Sequence, residues 1–301
     1  MGSTFQIIFY HADSAEASQV AKESFDLIDS LNITFSDYDT NSEISQLAVH
    51  AGKHPQKISQ ALFDVMLLSV EANQKSQKTF SVFAGALTNL WRNARRENKF
   101  PDKNLVRKAR HLSSKKYFKF FAHDSSVLVL AKGASMDFGG IVKGYTAQKV
   151  IDHLHTKNIH HALVDAGGDI VMSKPPPGKE GWSVAVNLPG DDVELAEHRL
   201  LLSNKAIATS GNMYQFIQHD GKKYSHIINP KTGYGITVQR QVTVIANDGA
   251  TADWLATACS ILPISKALKL AESENASLLI LEISGGVISA HRSATFNRYF
   301  F

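Results

Sequence analysis

The sequence predicts an α+β fold, with mixed sheets, packed helices and one compact body whose two lobes enclose a ligand cleft. Three observations lead there. Segments with helical and with strand periodicity interleave without the strict alternation of a doubly wound sheet. Hydrophobic residues make up 44% and charged residues 20% of the 301 residues, enough apolar material for a substantial core. No repeats, low-complexity tracts or clear linkers divide the chain, so residues 1–301 are expected to form one domain.

Element by element, Phe5 to Tyr10 reads as a strand. Ala17, Val20, Ala21, Ile28 and Leu31 recur at helical spacing after an expected N-cap at Ser14. Phe35 to Asp39 breaks that pattern, and a second amphipathic helix starts near Ser59, with Leu62, Val65, Met66 and Ala72 on one face. Residues 93–103 are polar and basic and read as an exposed loop before a short helix around Leu105 to Leu112. Tyr117–Phe121 and Val127–Leu130 look like a hairpin. A long helix follows Gly140, kept in period by Ala147, Val150, Ile151 and Leu154. Ala162–Val164, Trp182–Leu188, Ile207–Gly211 and Val242–Ala246 read as strands, and residues 174–181, with three prolines, as a stiff loop.

The formal charge of +4 favours anionic partners weakly. No basic stripe with interleaved aromatics is visible, so nucleic acid is disfavoured. The lone cysteine, Cys259, rules out an internal disulfide and a thiolate metal cluster. No run of 18 apolar residues is present. The expected location is the cytoplasm, or, if a leader precedes Met1, the periplasm or exterior, with a membrane-anchored lipoprotein among the options.

Four constellations could carry chemistry. Asp137 to Tyr145 sets a carboxylate and paired glycines before a helix, where backbone N–H groups and Lys143 could meet a pyrophosphate; an ordinary strand-to-helix turn reads the same way. Asp253 and Thr257, four apart on a helix, share a face and could hold a hard cation. Equally, Asp253 could serve the first turn and Thr257 bond back to a carbonyl. His226, ahead of the Asn229–Gly233 turn, is one of 13 histidines and could act as a general base. Asp165 and Asp169 flank a Gly pair, either as an acid–base pair or as caps on a tight bend.

In this order the segments resemble the FAD:protein FMN transferase family, called ApbE-like. The resemblance runs through Met1–Ser3, Ser36-x-Tyr38 with Asn41–Ser45, Asp137–Tyr145, Gly167–Asp169, Ala208–Gly211, His226–Gly233, and Ala252-Asp253 with Thr257. It implies a magnesium-dependent enzyme that cleaves FAD, moves FMN onto a Thr or Ser of an acceptor protein and releases AMP. By position, Asp253, Thr257 and the carbonyl of Gly140 correspond to the family's Mg2+ ligands. Met1, Tyr38, Thr79, Phe80, Ser81, Asp137, Lys143 and Ile227 correspond to residues at the FAD, and His226 to a proposed catalytic histidine. The family usually carries Phe-Asp-x-Thr where this chain has Phe80-Ser81-Val82-Phe83, so one carboxylate and one hydroxyl near the adenosine are replaced. FAD hydrolysis to FMN and AMP, or FAD binding without catalysis, are the competing readings.

Overall fold

The computed structural model describes residues 3–186, 199–211 and 215–300. Met1, and Leu188 at the end of one expected strand, lie outside them. The α+β class holds, and the chain falls into two compact units. One comprises residues 30–140 and 212–239, the other residues 2–29, 141–211 and 240–301.

The second unit is built on a seven-stranded sheet. Its order follows the chain: Phe5–Phe9, Ala162–Ala166, Ile170–Met172, Lys205–Gly211, Gln239–Ala246, Ser277–Ser284 and Val287–Arg292. The first four pair antiparallel, with Val164 opposite both Ile7 and Val171. Between Ala166 and Ile170, Gly167 and Gly168 turn the chain at φ of 69° and 98°, left-handed backbone that glycine adopts without strain.

Two helices pack on this sheet. Val142–Thr156 buries Ala147, Val150, Ile151 and Leu154 at three- and four-residue spacing, the periodicity seen in the sequence. Gly249–Ile261 is apolar nearly all round, with Ala250, Ala252, Ala256 and Ala258 buried, so it sits inside the unit rather than on its surface. Asp248 caps it by accepting from the Thr251 N–H at 2.8 Å.

These helices meet backbone to backbone. A Cβ on Gly144 would stand 2.0 Å from the Gly249 carbonyl oxygen, and one on Gly249 would stand 2.1 Å from that of Gly144. Neither neighbour is a side chain that can swing away. Gly144→Ala is therefore expected to cost roughly 3 kcal/mol or more, read as a lower urea midpoint with an unchanged m-value.

The first unit is mostly helical: Glu43–Val49, Gln60–Lys75, Gly85–Arg96 and Lys103–Leu112 accompany a three-stranded sheet in the order Gln56–Lys57, Ser126–Val129, Phe118–Phe121. The second of these helices starts beside Ser59, as the sequence indicated, and Ser59 caps it by accepting from the Leu62 N–H at 3.2 Å. Around Trp91, fully buried, gather Phe100, Tyr224 and Tyr234. The Trp91 Nε1–H donates to the Gly233 carbonyl at 2.8 Å, tying the helix to the turn that follows His226.

Several sequence expectations change. The first helix is capped by Asp13, whose Oδ1 accepts from the Ala15 and Glu16 N–H groups at 2.7 and 2.9 Å, rather than by Ser14, which is already helical. Residues 93–96 belong to a helix, not to a loop. Leu87, Trp91 and Ala94 bury a narrow stripe that holds this polar, basic segment helical. Glu43–Val49, Ile264–Ser273, Ser277–Ser284 and Val287–Arg292 are further elements. No helix among the described residues is long and apolar enough to cross a membrane.

Candidate active site

In the second unit, Lys143 and Gly144 lie in the first turn of Val142–Thr156, and Asp253 lies one turn into Gly249–Ile261. Asp253 is 5% exposed, and its Oδ2 accepts from the Gly144 N–H at 3.1 Å. The close approach of the two glycines is what brings that N–H to the carboxylate. Lys143 Nζ pairs with Asp169, itself buried at the end of the Gly167–Gly168 bend. Asp165 caps the bend by accepting from the Gly168 N–H at 2.7 Å. The two aspartates thus do different work, one serving the turn and the other fixing a lysine.

This leaves two buried carboxylates facing one ammonium. Burial raises the Asp253 pKa, opposed by the Lys143 charge and then by the Gly144 and Lys143 backbone N–H groups. Uncompensated negative charge in a buried place is costly, and a cation relieves it. Thr257, half-buried one turn on, shares a face with Asp253. Its hydroxyl makes no back-bond among the described residues, whereas Ser260 in the same helix donates to the Ala256 carbonyl at 2.9 Å. Among the described residues no group of three or more His, Cys, Asp or Glu side chains is placed to hold a metal. The Asp253 carboxylate and the Thr257 hydroxyl, completed by neutral oxygens and solvent, could hold a hard cation such as Mg2+.

In the first unit, Tyr38 is 70% exposed, with the Arg92 guanidinium 4.3 Å from its ring centroid. Arg92 donates to Asp37 Oδ2 at 2.6 Å. Burial, then the nearby Asp137, raises the Asp37 pKa, and Arg92 pulls it back. Asp137 accepts from the Gly139 N–H at 2.8 Å through Oδ1, while its own N–H donates to the Val82 carbonyl at 2.8 Å. Gly140 follows at the end of this segment.

The Thr79–Ser81 stretch is largely committed to structure. Thr79 donates to the Ser76 carbonyl at 2.8 Å, and the Phe80 ring is buried. Ser81 precedes the short helix Val82–Ala84 without capping it. Phe83, where the family pattern has a threonine, is buried against Phe118 with ring centroids 5.0 Å apart. The change from hydroxyl to ring thus fills core.

His226 sits between the strands Lys222–Ser225 and Ile228–Asn229, its backbone N–H donating to the Gln215 carbonyl at 2.9 Å. Its Nδ1 is buried with no hydrogen-bond partner. Burial, then the Arg95 charge, lowers its pKa. Ile227 beside it is buried, and its N–H donates to Ser225 Oγ at 2.9 Å. Cys259 is buried and its thiol pushed up to about 12, which removes it from nucleophilic chemistry.

Asp37, Arg92 and Arg95 have no site role in the sequence reading, and Asp169 enters it only beside Asp165, not as the partner of Lys143. The i,i+3 spacing of the two arginines after Trp91 is the signal that could have found them.

The chain belongs to the ApbE family, whose model matches residues 1–280. The FAD:protein FMN transferase of Klebsiella pneumoniae is 27% identical over 254 residues, covering 84% of this chain and 77% of the relative. The Haemophilus influenzae protein of that name is 27% identical over 305 residues, covering 98% and 88%. Among solved structures, a His-to-Gly variant of the flavin transferase ApbE from Vibrio cholerae superposes with a TM-score of 0.88 at 25% identity, covering 99% of this chain and 96% of the other. The ApbE protein of Thermotoga maritima gives 0.87 at 26%, with the same coverage.

Proposed function

We infer that this chain transfers FMN from FAD to the hydroxyl of a Thr or Ser side chain on an acceptor protein, releasing AMP, with Mg2+ held by Asp253, Thr257 and the Gly140 carbonyl. The observation that carries this reading is the family match over residues 1–280, a span that takes in every candidate residue from Tyr38 to Thr257.

Bound there, Mg2+ would neutralise charge on the pyrophosphate. The rest falls to the chain's own groups. Lys143, oriented by Asp169, offers an ammonium to the same charge. Tyr38 offers an exposed ring for stacking, with Asp137, Ile227, Thr79, Phe80 and Ser81 as further FAD contacts, and Met1 assigned by position alone. In the transfer step the acceptor oxygen bonds to the phosphorus on the FMN side. The P–O bond to AMP breaks, and AMP leaves with the electron pair. His226 takes the hydroxyl proton, a role that needs the imidazole neutral at the start.

Chromatography of the flavin pool tests this reading. FAD should be consumed only when Mg2+ and a Thr-bearing acceptor are both present. Steady conversion of FAD to free FMN and AMP without acceptor would point to hydrolysis, and no conversion under any condition to a binding protein.

A further inference from the structure

Helix Gly85–Arg96 carries Arg92 and Arg95 three residues apart, so both guanidiniums leave the same side. Their surroundings differ. Arg92 is satisfied by Asp37 and lies over Tyr38. Asp137 also acts on it. On Arg95 the acting charge is Arg92, which repels it. Neither Asp37 nor Asp137 compensates it.

The Arg95 Nη1 is buried without a hydrogen-bond partner, and so is His226 Nδ1, which lies within electrostatic reach of that guanidinium. A buried guanidinium N–H without an acceptor is expensive. Two such atoms in the same neighbourhood suit an outside ligand that supplies oxygen. Tyr38, exposed and in contact with the Arg92 guanidinium one turn from Arg95, narrows the ligand to one with a ring as well as an anion. A guanidinium fork matches phosphate geometry in a way that an ammonium does not.

We propose that Arg95 is a phosphate-binding residue which, beside His226, holds a phosphate oxygen of the flavin nucleotide whose ring system stacks on Tyr38. This rests on the transferase reading and adds a residue to it. The anion so held lies next to the imidazole, so one contact orients both the phosphorus and the base. Arg92, pinned by Asp37, supports Tyr38 and is a positioning residue.

The test measures binding of FAD, FMN and riboflavin to the full chain by flavin fluorescence, with a chelator present so that metal plays no part. Arg95→Gln should weaken FAD and FMN roughly tenfold to a hundredfold, the value of a charge-assisted hydrogen bond, and leave riboflavin unchanged. Arg95→Lys should recover part of the loss. Unchanged FAD and FMN affinity overturns the proposal, including when the KM for an acceptor rises instead. A parallel fall for riboflavin also overturns it, because Arg95 would then only shape the surroundings of Tyr38. Should Arg95→Gln fail to fold, Arg95→Lys decides: it must narrow the wild-type preference for FMN over riboflavin, and an unaltered preference overturns the assignment. Wild type that binds neither FAD nor FMN would overturn the transferase reading itself, whereas wild type that binds both no better than riboflavin would overturn the Arg95 assignment alone.

Discussion

Asp253→Asn is expected to reduce FMN transfer by roughly a hundredfold to a thousandfold, the scale on which removal of a buried electrostatic stabiliser acts. The substitution keeps the shape, and its amide oxygen can still accept from the Gly144 N–H, the bond that Asp253 Oδ2 makes at 3.1 Å. It removes only the charge, so thermal unfolding should change little while the Mg2+ concentration for half-maximal activity moves far upward. Asp253→Ala would lose the hydrogen bond as well, leaving a buried N–H unpaired, and is the less discriminating variant. Activity equal to wild type at limiting Mg2+ would refute the metal assignment. Loss of both activity and fold by Asp253→Asn would instead make the carboxylate a structural group of the helix contact.

His226→Gln is expected to slow transfer by roughly a hundredfold or more, with FAD affinity falling far less, because the Gln amide can still donate to the phosphate oxygen. The pH dependence carries the sign. Burial and Arg95 place the imidazole pKa below its ordinary 6.5, so the neutral, proton-accepting form is the major one at neutral pH. Wild-type kcat/KM should then be flat near pH 7 and fall as pH drops below about 6.5, following the free enzyme's imidazole, and the variant should lack that acid limb. Stability follows the same direction. A folded pKa below the unfolded one means that the unfolded chain binds the proton first, so the contribution of His226 is complete above the unfolded value and shrinks as pH falls. An acid limb preserved in His226→Gln would assign the limb to another group and remove the base role.

What could be read from the sequence was local. The helix start near Ser59, the Ala147–Leu154 stripe, and the shared helix of Asp253 and Thr257 declare themselves within a few residues, because capping and helical periodicity are short-range rules. Asp169 as the partner of Lys143 was not legible: the residues are 26 apart, and only the pairing of Ala162–Ala166 with Ile170–Met172 fixes the bend that carries Asp169. The Gly144–Gly249 contact is hidden for the same reason, since a glycine near a helix start looks like turn chemistry until the second helix is in place. Arg92 and Arg95 were missed through a misread element. Three buried residues, Leu87, Trp91 and Ala94, outweigh the polar composition of that segment, and the weight of the buried Trp91 is visible only with its aromatic neighbours around it. Phe83 is a different case. The sequence exposed the departure from the family pattern, and the packing on Phe118 supplies its meaning.

The central claim is that a phosphate carrying a flavin moves from AMP to a protein hydroxyl, and intact-mass spectrometry of an acceptor incubated with this protein, FAD and Mg2+ measures that most directly. The expected result is an acceptor heavier by one esterified FMN, one AMP per adduct, and loss of the adduct when the acceptor Thr or Ser is replaced by Ala. An unmodified acceptor alongside accumulating FMN and AMP would contradict it.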